Sequence, residues 1–161
     1  MKPNIGLNET DREAVAEILN TLLSDEFVLY TKTRSYHWNV IGPQFNDLHK
    51  FFEQQYEALD DVVDEVAERA RALGANALGT MAEFLKRTRL EERSGHFPPA
   101  REMLEDLLAG HEAVIRLLRG DLEACGGKYH DAGTSDFLTG LMERHEKMAW
   151  MLRAFLPGKG V

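Results

Sequence analysis

Apolar residues recur at helical spacing in four long stretches of the chain, separated by sparse Gly and Pro punctuation. The first opens at the capping box Thr10-Asp11-Arg12-Glu13 and carries Val15, Ile18, Leu19, Leu22, Leu29 and Tyr30 in phase. No breaker intervenes before Gly42-Pro43, which predicts a helix to about Trp38, ~43 Å long at ~1.5 Å per residue. Phe45 to Leu73 is again free of Gly and Pro, and Gly74 stands where a C-terminal cap belongs. A second capping box, Thr80-Met81-Ala82-Glu83, opens a short helix to about Thr88, and Arg89 to Phe97 reads as loop. Pro98-Pro99 starts a third long helix with Leu104, Leu107, Leu108, Ile115, Leu118 and Leu122 on one stripe, His111 in phase, and Gly126-Gly127 as its end. The fourth, capped by Thr134 or Ser135, carries Leu138, Leu141, Met148, Leu152 and Phe155 with His145 in phase, before Pro157-Gly158. No stretch shows strand alternation. The pattern predicts an all-α fold: a four-helix bundle over residues 10–156 with short tails at 1–9 and 157–161. An extra short helix lies in the long connection between the second and third long helices, and that connection can cross the bundle, allowing up-down-down-up order.

Composition narrows the chemistry. The 161 residues suit one domain, and 43% hydrophobic residues can bury a core. A net charge of −8 excludes a uniformly basic surface for nucleic acid and favours cations as partners. The single cysteine, Cys125, allows no intrachain disulfide. A polar N-terminus without a signal pattern and no apolar run of membrane-spanning length lead us to expect a soluble cytoplasmic protein.

Several motifs fail on spacing. His111-Glu112 and His145-Glu146 lack the second His of a zinc helix, and the phosphate-binding and hydrolase signatures are absent. No His has Glu three residues before it, so the E-x-x-H pairs of a di-iron site inside one bundle are missing, and such a site is disfavoured. Attention moves to the second helix, where Glu57, Asp60, Asp61, Asp64, Glu65 and Glu68 occur with no Lys or Arg between them. A solvated acidic face is one reading. However, Asp60, Asp64 and Glu68 form an i,i+4 ladder of like charge, which a cation would relieve. His49 and Glu53 share a face upstream, and His37 stands at the end of the first helix. Imidazoles with carboxylates suit Fe(II), Mn(II) or Zn(II) better than Mg(II) or Ca(II).

His49 and Asp64 are ~22 Å apart along one helix and cannot hold one ion together. If the helix packs antiparallel on a second copy about a two-fold axis near residues 56 and 57, position i meets position 113 − i. His49 then lies level with the partner's Asp64, and Glu53 with the partner's Asp60. An isologous interface of this kind generates two equivalent sites. Each would combine His37, His49 and Glu53 of one chain with Asp64 and Glu68 of the other.

The stretch Tyr36-His37-Trp38-Asn39, Gly42-Pro43-Gln44-Phe45, Leu48-His49 and Asp64-Glu65-Val66-Ala67-Glu68-Arg69 resembles the Dps family of mini-ferritins, as do Leu73-Gly74 and the final helix. The resemblance covers nearly the whole chain. It implies a ferritin-like fold and a homo-oligomeric dodecameric shell with di-iron ferroxidase centres at two-fold interfaces, with Fe(II) and hydrogen peroxide as substrates and ferric mineral stored inside. By the same resemblance His37, His49, Asp64 and Glu68 match iron ligands and catalytic positions, and Glu53 an additional acidic ligand. Trp38 matches an aromatic beside the centre, either intercepting stray oxidising equivalents or packing at the interface. Three-fold pores lined by carboxylates are implied, with Asp121 and, as a weaker match, Asp131 at such positions. The chain departs from the best-known members in its tails. Lys2 and Arg12 stand against Glu9, Asp11 and Glu13 at one end, and Lys159 alone is basic at the other, which does not favour direct DNA binding. Protection by removal of iron and peroxide is the leading expectation. The alternative is a non-enzymatic, nucleoid-associated DNA-binding shell.

Overall fold

The computed structural model describes residues 2–156; the predicted stop at Pro157-Gly158, the tail 157–161 and its Lys159 lie outside them. Five α-helices form in order: α1 (Glu9–Asn39), α2 (Phe45–Ala72), α3 (Met81–Arg87), α4 (Ala100–Glu123) and α5 (Ala132–Phe155), with no strand among the described residues. Cross-helix contacts fix the directions. Tyr36 bonds to Asp106 and Asp25 reaches Asp121 through Arg89, so α1 and α4 run antiparallel. Arg69 meets Thr134 and Glu65 meets Arg144, so α2 and α5 do likewise. With the short α1–α2 and α4–α5 connections, the order is up-down-down-up and the long connection through α3 crosses the bundle.

The helix ends refine the sequence expectations. The first helix is capped by Asn8, whose side chain accepts from the Asp11 N–H at 2.9 Å, and not by Thr10; the helix starts two residues earlier than expected. The Thr80–Glu83 capping box forms as predicted. The third long helix does not stop at Gly126-Gly127 but passes into a π-helical turn, Ala124–Lys128, that buries Cys125. Asp131, not Thr134 or Ser135, caps α5: its carboxylate accepts from the Thr134 N–H at 2.9 Å and the Thr134 hydroxyl at 2.6 Å. Gly74 closes α2 at φ +81, a left-handed conformation suited to glycine, with Pro3 and the Arg12 side chain so close that a Cβ would collide with them.

The core is a continuous cluster of Val15, Leu19, Leu22 and Leu29 from α1, Phe52, Leu59 and Val62 from α2, Leu107 and Leu118 from α4, and Leu138, Leu141 and Leu152 from α5. Phe155, expected on the α5 stripe, is partly exposed and packs on Phe51. One layer of the core is polar. Glu26, His111 and His145, each 0% exposed, come from α1, α4 and α5. His145 Nε2 lies 2.9 Å from Glu26 Oε1, and the Nδ1 atoms of His111 and His145 are 3.0 Å apart. No helix among the described residues is long and apolar enough to cross a membrane.

Candidate metal half-site

The end of α1 and the start of α2 are brought together by the tight turn at 40–44, and the two histidines lock each other. His37 Nδ1 donates to the backbone carbonyl of His49 at 2.7 Å, and His49 Nδ1 donates to the carbonyl of His37 at 2.9 Å. A carbonyl can only accept, so both rings carry hydrogen on Nδ1, and Nε2 is the nitrogen left to a further partner. The His37 carbonyl lies in the last turn of α1, where the helix leaves acceptors without an internal partner, and His49 supplies the missing donor. The rings stack at 3.8 Å between centroids, with Phe45 stacked on His49 at 5.1 Å and Tyr56 edge-on to His37 at 5.2 Å. Fixing Nδ1–H on a carbonyl to free Nε2 is how proteins orient an imidazole ligand.

Glu53, one turn after His49, is half-buried and accepts from the Tyr56 hydroxyl at 3.4 Å. Burial and the Glu53 carboxylate raise the Tyr56 phenol above its ordinary value, so it stays protonated and donates. The guanidinium of Arg34 lies 4.9 Å from the Tyr56 centroid, 5.7 Å from Tyr30 and 5.6 Å from Trp38, and it also bonds the Tyr30 hydroxyl. Trp38 is 64% exposed beside this cluster.

Asp64 and Glu68 sit on the exposed side of α2, far along the helix from His49. Of the six carboxylates between Glu57 and Glu68, Glu65 pairs with Arg144 at 2.9 Å; the other five make no ion pair among the described residues. Within one chain the structure brings His37 and His49 together, sets Glu53 one turn further along α2, and leaves Asp64 and Glu68 apart. Among the described residues, no three His, Cys, Asp or Glu side chains of one chain converge so as to hold a metal ion. Imidazoles together with carboxylates are donor types that fit a borderline divalent ion such as Fe(II).

The two pore candidates have partners. Asp121 accepts two hydrogen bonds from Arg89, at 3.1 and 2.9 Å, and Arg89 in turn binds the fully buried Asp25. Asp131 is buried in its cap and lies 3.4 Å from Arg69. Cys125 is sealed, and burial pushes its thiol up to about 12, far from a reactive thiolate. Sequence reasoning missed Tyr56 and Arg34. Their signal was spacing: Tyr56 falls three residues after Glu53, and Arg34 three before His37 and four after Tyr30.

Comparison with known proteins identifies the family of the fold. Residues 16–157 fit the ferritin-like domain family. The chain is 46% identical to the low temperature-induced protein all0458 of Nostoc sp., over 98% of this chain and 88% of that one. It is 39% identical to DNA protection during starvation protein 2 of Bacillus anthracis, over 88% and 96%. Its fold superposes on a Dps protein of Vibrio cholerae with TM-score 0.89 and 34% identity, covering 98% of both chains; that protein is described as belonging to a superfamily of ferritin-like diiron-carboxylate proteins. The chain belongs to the Dps family of ferritin-like proteins.

Proposed function

We propose that this protein is a cytoplasmic ferroxidase and iron store, oxidising Fe(II) with hydrogen peroxide at centres shared between two subunits of a dodecameric shell. The observation that carries the reading is the reciprocal His37–His49 lock, which leaves two imidazole Nε2 atoms for a further partner with Glu53 one turn along α2, while Asp64 and Glu68 of α2 are exposed and make no ion pair among the described residues. About a two-fold axis, one chain's His37, His49 and Glu53 face Asp64 and Glu68 of its neighbour, giving two centres per pair.

The chemistry follows from the donors. Carboxylates are hard anionic ligands and stabilise Fe(III) over Fe(II), favouring electron loss. Two Fe(II) held together give peroxide both electrons in one event: 2 Fe(II) + H2O2 → 2 Fe(III) + 2 OH−. Peroxide meeting one Fe(II) alone would release hydroxyl radical, so pairing protects DNA by removing both reactants. Of the two pore candidates, Asp121 keeps the more accessible carboxylate, and we propose it as the residue lining the route of entry.

The test is anaerobic Fe(II) loading followed by peroxide, with ferric absorbance and particle size read together. A shell-sized particle that oxidises about two Fe(II) per peroxide supports the proposal. A monomer, or no oxidation, overturns it. Retention of plasmid in a low-salt gel shift would instead favour a DNA-binding shell.

A further inference from the structure

Resting on that reading of the half-site, we propose that Tyr56 is a positioning residue for it, aiming Glu53 and bracing His37 before metal arrives. Tyr56 touches two of the three same-chain ligands by different means. Its hydroxyl donates to Glu53 Oε1 at 3.4 Å, and its ring edge meets the His37 ring at 5.2 Å with an interplanar angle of 77°. Phe45 covers the other side of the histidine stack at 5.1 Å from His49, so the two imidazoles lie between Phe45 and Tyr56. Tyr56 is itself held, because the Arg34 guanidinium lies over its face at 4.9 Å and Tyr30 abuts it at 6.2 Å.

A neutral donor is the appropriate device here. Glu53 is a flexible carboxylate on a helix face crowded with other carboxylates, and left free it would sample several rotamers. A Lys or Arg on Glu53 would fix it but would also compete with the incoming cation for its charge. The phenol orients the carboxylate and leaves its charge in place. The nearby cation, Arg34, is kept off Glu53 by its bond to the Tyr30 hydroxyl and by the faces of three aromatic rings. Pre-fixing a ligand in this way strengthens metal binding because less order has to be imposed when the ion arrives.

The experiment is an anaerobic Fe(II) titration of the assembled shell by calorimetry, comparing wild type, Tyr56→Phe, Glu53→Ala and the double variant, with His49→Ala as reference. Tyr56→Phe keeps the ring against His37 and Arg34 and removes only the hydroxyl, so shell size and thermal midpoint should be unchanged. The expected result is about tenfold weaker Fe(II) binding in Tyr56→Phe, comparable weakening in Glu53→Ala, and a double variant no weaker than Glu53→Ala alone. That coupling separates positioning through Glu53 from a general structural effect, which would add. Wild-type affinity in Tyr56→Phe, additive losses, or wild-type affinity in Glu53→Ala each overturn the inference; loss of binding in His49→Ala would still uphold the half-site. If His49→Ala binds as wild type does, the half-site reading falls as well, and this inference with it.

Discussion

The protein builds two histidine pairs from four helices and places them in different surroundings. His111 and His145 face each other in the bundle core with Glu26, all three sealed from solvent. His37 and His49 stack at the bundle's edge, each ring spending Nδ1 on the other's backbone carbonyl and keeping Nε2 free. In the core the polar groups are imperfectly served. Both Glu26 oxygens and the Nε2 atoms of both rings lack an aligned hydrogen bond, although His145 Nε2 stands at ion-pair distance from Glu26. At the edge, each Nδ1 is satisfied by a backbone carbonyl, which leaves Nε2 to a further partner. Residue type is the same in both places; the partners of the ring nitrogens set the two pairs apart.

The largest effect should come from breaking the sealed cluster. His145→Ala leaves the Glu26 carboxylate buried without its partner and opens a cavity, so denaturant unfolding should show a loss of about 3–5 kcal/mol. Replacing all three residues by apolar side chains of similar size should recover most of that loss. If His145→Ala were as stable as wild type, the buried pair would be energetically idle. His49→Ala should do the reverse: peroxide-driven Fe(II) oxidation should drop at least about 100-fold, while the unfolding midpoint moves little. Equal loss of stability and activity in that variant would erase the distinction between the two pairs.

The pH dependence of stability provides a smaller test. Burial, and after it the electrostatic influence of the adjacent His145, push the His111 imidazole well below its ordinary value of 6.5, so it is neutral in the folded chain. The unfolded chain binds that proton once the pH falls below ~6.5, whereas the folded chain does not. Its share of stability is therefore fully present above ~6.5 and declines as the pH falls, by up to about 1.4 kcal/mol per pH unit. Urea unfolding between neutral and mildly acid pH should show this slope, reduced by roughly one proton in His111→Leu. A slope unchanged in that variant would remove His111 from the account. The smallest effect concerns the pore candidates. Asp131→Ala should lose a helix cap, about 1–2 kcal/mol, seen as a lower thermal midpoint. Asp121→Asn should leave stability closer to wild type and slow iron entry.

The bundle was legible in the sequence because four long stripes and their Gly and Pro punctuation admit few alternatives, and the structure has the helices where those stripes lie. The ends were less so. Asn8 and Asp131 cap helices that Thr10 and Thr134 also could have opened, and only the folded backbone selects between adjacent cap residues. His111 and His145 were visible as members of apolar stripes. The signal for their partner is weaker, a single charged residue, Glu26, in phase with Leu19, Leu22 and Leu29 on the face that packs into the core. Of the candidate site, Asp64 and Glu68 enter by spacing alone, and the His37–His49 pairing was legible as spacing across the turn. The reciprocal carbonyl bonds were not, because they depend on how the turn at 40–44 sets one helix against the next.

The central claim is that each centre draws on two chains. Subunits carrying His49→Ala and subunits carrying Asp64→Ala, inactive apart, should be unfolded together, mixed equally and reassembled, and their Fe(II) oxidation measured. With random pairing half of the two-fold pairs are mixed, and each mixed pair has one centre with both His49 and Asp64 intact. Activity should therefore return to about one quarter of wild type. Shells shown to be mixed yet wholly inactive would contradict the account.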